Sequence, residues 1–358
     1  MDTNRLGIKT RLPNSFEMRQ DGFTPKSGGY FKNVRDEQNN VIAVLQASNY
    51  YNQQFFNVTF SAPKLIYSTN VETLKPSDLP FVLDTVNDIV LGNTRIEFDA
   101  NAAQVMSIHF CHNFILPSDA DVYRYQDEMK SLTVPYTHRD IHAKEHGVDT
   151  VYWSNDSVQR LFYPKHAETA RLAKKGNVSS RYLAQSVGML RWEHRLLNSR
   201  KVKEIAERFG CSQLASSFLP TAFEMNRQIL LDDMEILGLN KTIEISGEQE
   251  RLEKLKNYCG DNEVKFMKLS GLLHNCDVQG GVDNLSPKGL IKDKTLRKWI
   301  DEIKAAGISF TKPTNGRILP PLVVPEFEPD VYDFPFNKTE SFSLERNSFI
   351  QMETDLVH

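Results

Sequence analysis

DTVYWSNDSVQRLFYPK, residues 149–165, reads as two short strands closed by a polar turn. Aromatic and β-branched residues fill 149–153 and 158–165, and Ser154-Asn155-Asp156-Ser157 between them is turn chemistry. A second stretch, MLRWEHRL (189–196), alternates strictly. Leu190, Trp192, His194 and Leu196 fall on one face, and Arg191, Glu193 and Arg195 on the other. This is the pattern of a half-buried antiparallel strand. Its charged face must meet solvent or belong to a site, because an unpaired buried charge is too costly.

Outward from these segments, VIAVLQAS (41–48), FFNVTFSA (55–62) and AQVMSIHFCHNF (103–114) read as further strands. In the last, Met106, Ile108 and Phe110 share one face, and Ser107, His109 and Cys111 the other. Residues 1–40 are polar and carry Pro13, Pro25, Gly28 and Gly29, which predicts an irregular entry with one strand. Helical spacing appears over 76–90, opened by Pro76 or Ser77, and over 166–187. Past residue 198 the pattern is helical. Ser199 can cap a helix carrying Val202, Ile205, Ala206 and Phe209, with Gly210 as its stop. Residues 214–238, 247–259 and 293–307 also read as helices. The last 48 residues hold six prolines and eight acidic against four basic residues, which predicts a disordered acidic tail. The expected fold class is α+β. An antiparallel-sheet domain over 1–198 is followed by a helical domain over 199–310 and the tail over 311–358.

The 358 residues are 40% hydrophobic and 25% charged, as in an ordinary globular protein. No apolar run approaches the roughly 18–20 residues of a membrane helix, and the N-terminus MDTNRLGIKT has no apolar signal segment. A cytoplasmic protein with no membrane partner is expected. Cys111, Cys211, Cys259 and Cys276 are scattered without CxxC pairing, which points to free thiols rather than a disulfide framework or zinc ribbon.

Net charge is −3, yet residues 160–209 carry twelve Lys/Arg against four Glu. Within this segment Lys174, Lys175, Arg181, Arg195, Arg200, Lys201 and Lys203 are candidate phosphate contacts. A solvated charged face is the competing reading. The helix at 293–307, with Lys294, Arg297 and Lys298, is either a second DNA-contacting element or an amphipathic packing helix.

Tyr163 and Lys165 are two apart on one strand and so share a face. If the polar faces of the neighbouring strands coincide with it, one surface gathers a phenol, an amine, an imidazole, a carboxylate and two guanidiniums. Glu168 is near enough in sequence to join. That set suits phosphoryl transfer, in which a tyrosine oxygen attacks a phosphodiester. The phenol, with a reference pKa near 10, needs a cation or base beside it, and Lys165 is placed to be one. A divalent metal, Mg²⁺ or Mn²⁺, on His109 with Glu168 or Glu193 would polarise the phosphate. The alternatives are a tyrosine that only packs and an Arg-x-Glu-x-Arg ladder that only pairs charges. Zinc at His109, Cys111 and His112 with His274 and Cys276 is weaker, because residues 111 and 112 point to opposite faces.

TVYWSNDSVQRLFYPKHAE and MLRWEHRLLNSRKVKEIAERFG, within 149–209, resemble the rolling-circle replication initiators of filamentous phages, the gene II protein family. The shared pattern is a hairpin ending in Tyr-x-Lys-x-x-Glu, here Tyr163, Lys165 and Glu168, then a strand with Arg-x-Glu, here Arg191 and Glu193, then a helix. FNVTFSAPKLIYSTN (56–70) is similar to an upstream strand followed by a turn, with Ser61-Ala62-Pro63-Lys64 and Ser68-Thr69-Asn70 as looser counterparts. TLRKWIDEIKAAGI (295–308) is similar to a C-terminal helix. The likeness spans roughly 55–310, and SFEMRQDGFTPKSGGYFK (15–32) looks like the RstA-type replication proteins of vibrio CTX-like phages.

The resemblance implies that Tyr163 is a nucleophile that links to DNA. It implies a nickase acting on phage origin DNA, duplex replicative form and plus strand, with host helicase and DNA polymerase as partners and homo-oligomer formation open. Two departures stand out. His109 occupies the strand position where related initiators carry an Asp, and Pro164 follows the nucleophile directly, which predicts a strand at a sheet edge or at its own end. The alternatives are a non-catalytic origin-binding protein and a plasmid-mobilisation relaxase.

Overall fold

A computed structural model of the chain describes residues 1–324 apart from 38, 51–52, 131, 133, 135, 143–149, 177, 246, 280–291, 309 and 311–316. In chain order the first elements are β1 (Thr3–Lys9), α1 (Ser15–Gln20), β2 (Thr24–Lys26), β3 (Gly29–Arg35), β4 (Val41–Tyr50), β5 (Gln53–Ser61) and α2 (Ala62–Tyr67). Next come α3 (Leu79–Leu91), β6 (Gln104–Ile115), α4 (Asp119–Met129), β7 (His138–His142), β8 (Thr150–Ser154), β9 (Val158–Pro164), α5 (Lys165–Ala173) and α6 (Ser180–Gln185). The remainder is β10 (Met189–Leu196), α7 (Ser199–Arg208), α8 (Ala215–Leu237), β11 (Ile243–Ile245), α9 (Glu248–Cys259), α10 (Glu263–Gln279), α11 (Asp293–Ala305) and β12 (Arg317–Leu319).

Among the described residues, ten strands form one sheet in the order β2-β3-β4-β5-β1-β6-β10-β9-β8-β7, every pair antiparallel. The α+β class with a large antiparallel sheet is therefore present. One face is fully covered. Leu6, Phe56, Val58, Ile108, Phe110, Phe162, Leu190 and Trp192 are buried there and pack against α4, α7 and α8. The other face is polar and carries the site.

Several expectations are corrected. The N-terminal segment is no irregular entry: β1 lies between β5 and β6 in the middle of the sheet. Its apolar positions, Leu6 and Ile8, are few, and cross-strand pairing supplies what the local pattern lacks. The helix read over 166–187 is broken into α5 and α6, because Gly176 adopts φ +77°. α7 is capped by Asn198, whose side chain accepts from the Lys201 N–H at 3.0 Å, rather than by Ser199. α10, β7 and the β11–β12 pair lie outside every segment read as regular structure.

α7 and α8 belong to the same core as the sheet, whereas α9, α10 and α11 pack around a second cluster of Leu255, Leu269, Leu272, Leu273, Ile300 and Ile303. Residues 317–324 are not tail: Leu319 and Leu322 are buried in the main core, and the Leu322 N–H donates to the Leu239 carbonyl at 2.9 Å. The tail beyond 324 lies outside the described residues. The four cysteines are free. No helix among the described residues is long and apolar enough to cross a membrane.

Candidate active site

The site forms where β9 and β10 run side by side. The register pairs Arg191 with Tyr163, Glu193 with Leu161 and Arg195 with Gln159, and across β6 it pairs Glu193 with Cys111 and Arg195 with His109. Alternation then sends Tyr163, Arg191, Glu193, Arg195 and His109 to one face. Gly188 fixes the entry of β10. It sits at φ +69°, and a side chain there would collide with the Leu116 carbonyl oxygen. β9 is not an edge strand, since it lies between β10 and β8. Its pairing with β8 stops at Phe162, so Tyr163 and Pro164 run past that neighbour and the missing proline N–H is tolerated. The chain turns at Pro164 directly into α5, whose first turn carries Lys165 and Glu168.

The Tyr163 hydroxyl donates to Glu193 Oε1 at 2.7 Å. The same oxygen accepts from Arg191 Nε at 3.1 Å, and Glu193 Oε2 accepts from Arg195 Nε and Nη2 at 2.9 and 2.7 Å. Arg191 is fully buried. Its other nitrogens donate to Asp2 Oδ2 at 2.8 Å, to the Asn70 carbonyl at 2.8 Å and to Asn113 Oδ1 at 3.2 Å. Lys165 Nζ, also buried, donates to Glu168 Oε2 at 2.5 Å and Asn70 Oδ1 at 2.9 Å, and stands 5.7 Å from the centre of the Tyr163 ring. Asp2 is held besides by Ser61 Oγ at 2.6 Å and Asn70 Nδ2 at 3.1 Å. Each buried charge thus has an opposite partner, the condition for tolerating charge in a low-dielectric interior.

The titration behaviour follows from these neighbours. Burial pushes the Glu193 carboxyl up, but Arg195 and Arg191 overcome it and hold the group down at about 2. Asp2 is likewise carried well below the usual carboxylate range, its burial outweighed by Arg191 and Lys165. Burial, then Glu168 and Glu193, raise the Tyr163 phenol well above its ordinary value. Burial lowers Lys165 against the pull of Glu168. His109 falls to about 4, through burial and the Arg195 guanidinium, and stays neutral at pH 7. In this arrangement the phenol keeps its proton, aimed at a carboxylate that is a weak base while two guanidiniums sit on it.

Of the residues expected at the site, Tyr163, Lys165, Glu168, Arg191, Glu193 and Arg195 are brought together. The expected metal ligands His109, Glu168 and Glu193 are not gathered as a set: among the described residues no group of three His, Cys, Asp or Glu stands close enough to hold a metal ion. Both oxygens of Glu193 are taken by cations, and Glu168 is paired with Lys165. These donors do not fit a metal shell in this geometry. Asp2, Ser61, Asn70 and Asn113 are additions: Ser61 and Asn113 fall on the polar faces that alternation gives their strands, Asn113 two residues past Cys111, whereas Asp2 and Asn70 lie outside any strand. The turn at 68–70 carried a hint of Asn70, and nothing local marked Asp2. Among the basic residues, Lys174, Lys175, Arg181, Arg200, Lys203, Lys294, Arg297 and Lys298 are exposed. Lys201 pairs with Glu204, Lys203 with Glu207 and Lys298 with Glu302. His112 faces away from the site, with its ring edge-on to Phe114 at 4.8 Å, which removes it from any zinc set with Cys111.

Neither a protein-family model, nor a curated protein, nor a solved structure matches the chain.

Proposed function

We propose that the protein is a tyrosine-dependent DNA nicking and joining enzyme that initiates rolling-circle replication of a filamentous phage. The observation that carries the chemistry is the 2.7 Å hydrogen bond from Tyr163 to Glu193, set among Arg191, Arg195 and Lys165. The phage origin, the host helicase and polymerase, and the bacterial cytoplasm rest on the resemblance of 149–209 to the gene II family.

The chemistry follows from how the charges would redistribute. A scissile phosphate entering the site competes with Glu193 for the two guanidiniums. As they turn to the phosphate, Glu193 loses the cations that depress its basicity and takes the phenol proton. The Tyr163 oxygen attacks phosphorus, the bond from phosphorus to the 3′-oxygen breaks, and Lys165 supplies a proton to the departing oxygen. The products are a 5′-phosphotyrosine and a free 3′-OH that serves as a primer. The reverse transfer joins the displaced strand without ATP, because the phosphotyrosine keeps the bond energy. A divalent cation, Mg²⁺ or Mn²⁺, remains a proposal from the resemblance alone, and no step is routed through it.

A second reading draws on the burial of the phenol, which is 7% exposed. In it the network is structural and the protein binds origin DNA without cutting. Mass spectrometry of the intact protein after incubation with single-stranded origin oligonucleotides, in Mg²⁺ and in Mn²⁺, separates the two. The nuclease reading expects an oligonucleotide adduct that maps to Tyr163 and disappears in Tyr163→Phe. An adduct that survives that substitution, or none from a protein that binds the oligonucleotide, overturns it.

A further inference from the structure

The polar face that carries Tyr163 continues across the sheet through β6, β1, β5 and β4. Along these strands alternation places Ser107 and His109, Arg5 and Lys9, Phe55 and Thr59, and Val44 and Gln46 on it. Most of these side chains are partly exposed, whereas those of the opposite face are buried. On β4, β5, β1 and β6 themselves this face bears no Asp or Glu; the Asp2 carboxylate, just ahead of β1, reaches it but is buried against Ser61 and Arg191. The strand residues of this face are amides, hydroxyls and an aromatic ring with only cationic charge.

Arg5 makes the point sharply. Its guanidinium is held by Gln46 Oε1 at 2.8 Å, its buried Nε has no partner, and it forms no carboxylate pair among the described residues. A cation fixed in place, short of acceptors and partly stripped of water is set for an anion that arrives from outside. At the end of the same strand a groove is lined by Lys9, Thr10, Arg11, Asn49, Gln53 and Gln54, again with no carboxylate. Lys9 and Arg11 are exposed and make no ion pair among the described residues.

We propose that this face is a track for a single strand of nucleic acid, which runs from the Lys9/Arg11 groove over Arg5 toward Tyr163. The distance suits a short oligonucleotide: Lys9 to Arg5 is four residues along β1, about 13 Å, and from β1 to β9 there are three strand steps, about 14 Å at the usual interstrand spacing. Phosphates meet the spaced cations. The half-exposed Phe55 ring, opposite Lys9 in the β1–β5 register, offers a stacking surface. A duplex fits less well, because the cations stand on a sheet face and not on an element that enters a groove. The inference rests on the strand-cleaving reading for its choice of ligand, so binding is measured without cleavage.

The experiment uses the full chain with Tyr163→Phe and a dye-labelled oligo-dT, read by fluorescence anisotropy over a range of salt. Arg5→Gln/Lys9→Gln/Arg11→Gln is expected to weaken binding about tenfold. It should reduce the slope of log affinity against log salt by about 2, the value for three lost phosphate contacts on a single strand. Lys9→Gln/Arg11→Gln, at exposed positions that cannot disturb the core, should give about two thirds of that change. Lys256→Gln/Lys268→Gln, at exposed positions of α9 and α10, should leave oligo-dT binding unchanged. Equal affinity and slope in the parent and both strand-face variants overturns the track, as does tighter binding to duplex that is lost only in Lys294→Gln/Arg297→Gln/Lys298→Gln on α11. If no adduct forms at Tyr163 but the strand-face variants still lose affinity, the nuclease reading fails and the track stands.

Discussion

Arg191→Met tests whether the buried charges at the head of β10 hold one another. Arg191 has no exposed surface and makes four hydrogen bonds, to Asp2, Glu193, Asn70 and Asn113. Methionine fills much of the same volume without charge, so little of the cost comes from a cavity. What remains is a buried carboxylate without its partner. Breaking a buried pair by removing one member costs about 3–5 kcal/mol. The lower end applies here, because Glu193 keeps Arg195 and Asp2 keeps Lys165 nearby. The pH dependence carries the diagnosis. In the parent, Glu193 at about 2 stabilises the fold fully above its unfolded value near 4.5 and loses that contribution as pH falls. In the variant the stranded carboxylates rise, and each unit of rise returns about 1.4 kcal/mol once the group is protonated. The penalty of Arg191→Met should therefore be about 3 kcal/mol at pH 7.5 and clearly smaller at pH 3, because a rise of about two pH units from about 2 leaves Glu193 ionised until pH falls below about 4. Urea unfolding followed through the buried Trp153 and Trp192 gives both numbers. Asp2→Asn/Arg191→Met/Glu193→Gln, which removes the stranded charges as well, should recover part of the loss. A penalty under about 1 kcal/mol, or one equal at both pH values, would refute the account of mutual neutralisation.

Two further outcomes follow from the same physics. His109 is held neutral at about 4 against an ordinary 6.5, so its contribution is complete above pH 6.5 and is lost as pH falls toward 4. About 2–3 kcal/mol of stability should disappear across that window in the parent but not in His109→Gln, as read by unfolding at pH 7 and pH 4.5. On the covered face, Asp233 of α8 accepts from Arg160 Nε at 2.5 Å, His194 Nδ1 at 2.8 Å and Trp192 Nε1 at 3.0 Å. Asp233→Leu strands three donors and should cost about 3–5 kcal/mol in urea unfolding, and an unchanged midpoint would show that this link between helix and sheet is dispensable.

Tyr163, Arg191 and Glu193 were legible because a strand states its own faces; Lys165 was expected on the Tyr163 strand but reaches the site from the first turn of α5, since the strand ends at Pro164. A period of two needs no knowledge of the neighbours: β10 keeps the bounds of 189–196 and sets Arg191, Glu193 and Arg195 opposite Trp192 and His194, but the strand is not half-buried as expected, since all its residues except Arg195 are buried. The hairpin of β8 and β9 was legible for the same reason, since Asn155 closes its turn through bonds to the Ser157 and Val158 N–H groups. The resemblance raised Tyr163 above the other tyrosines.

Asp2 and Asn70 were not legible as a pair of supports. They reach Arg191 from 189 and 121 positions away, and no local period reports a contact at that separation. The placement of β1 in the middle of the sheet was hidden likewise, because its partners β5 and β6 supply the burial that its own polar sequence does not. Sequence alone determined which side chains share a strand face, since that is backbone geometry. Tertiary structure decided which faces meet and which charges neutralise one another. It put Glu193 under two guanidiniums rather than in a metal shell with His109 and Glu168, since cross-strand register and burial set those pairings.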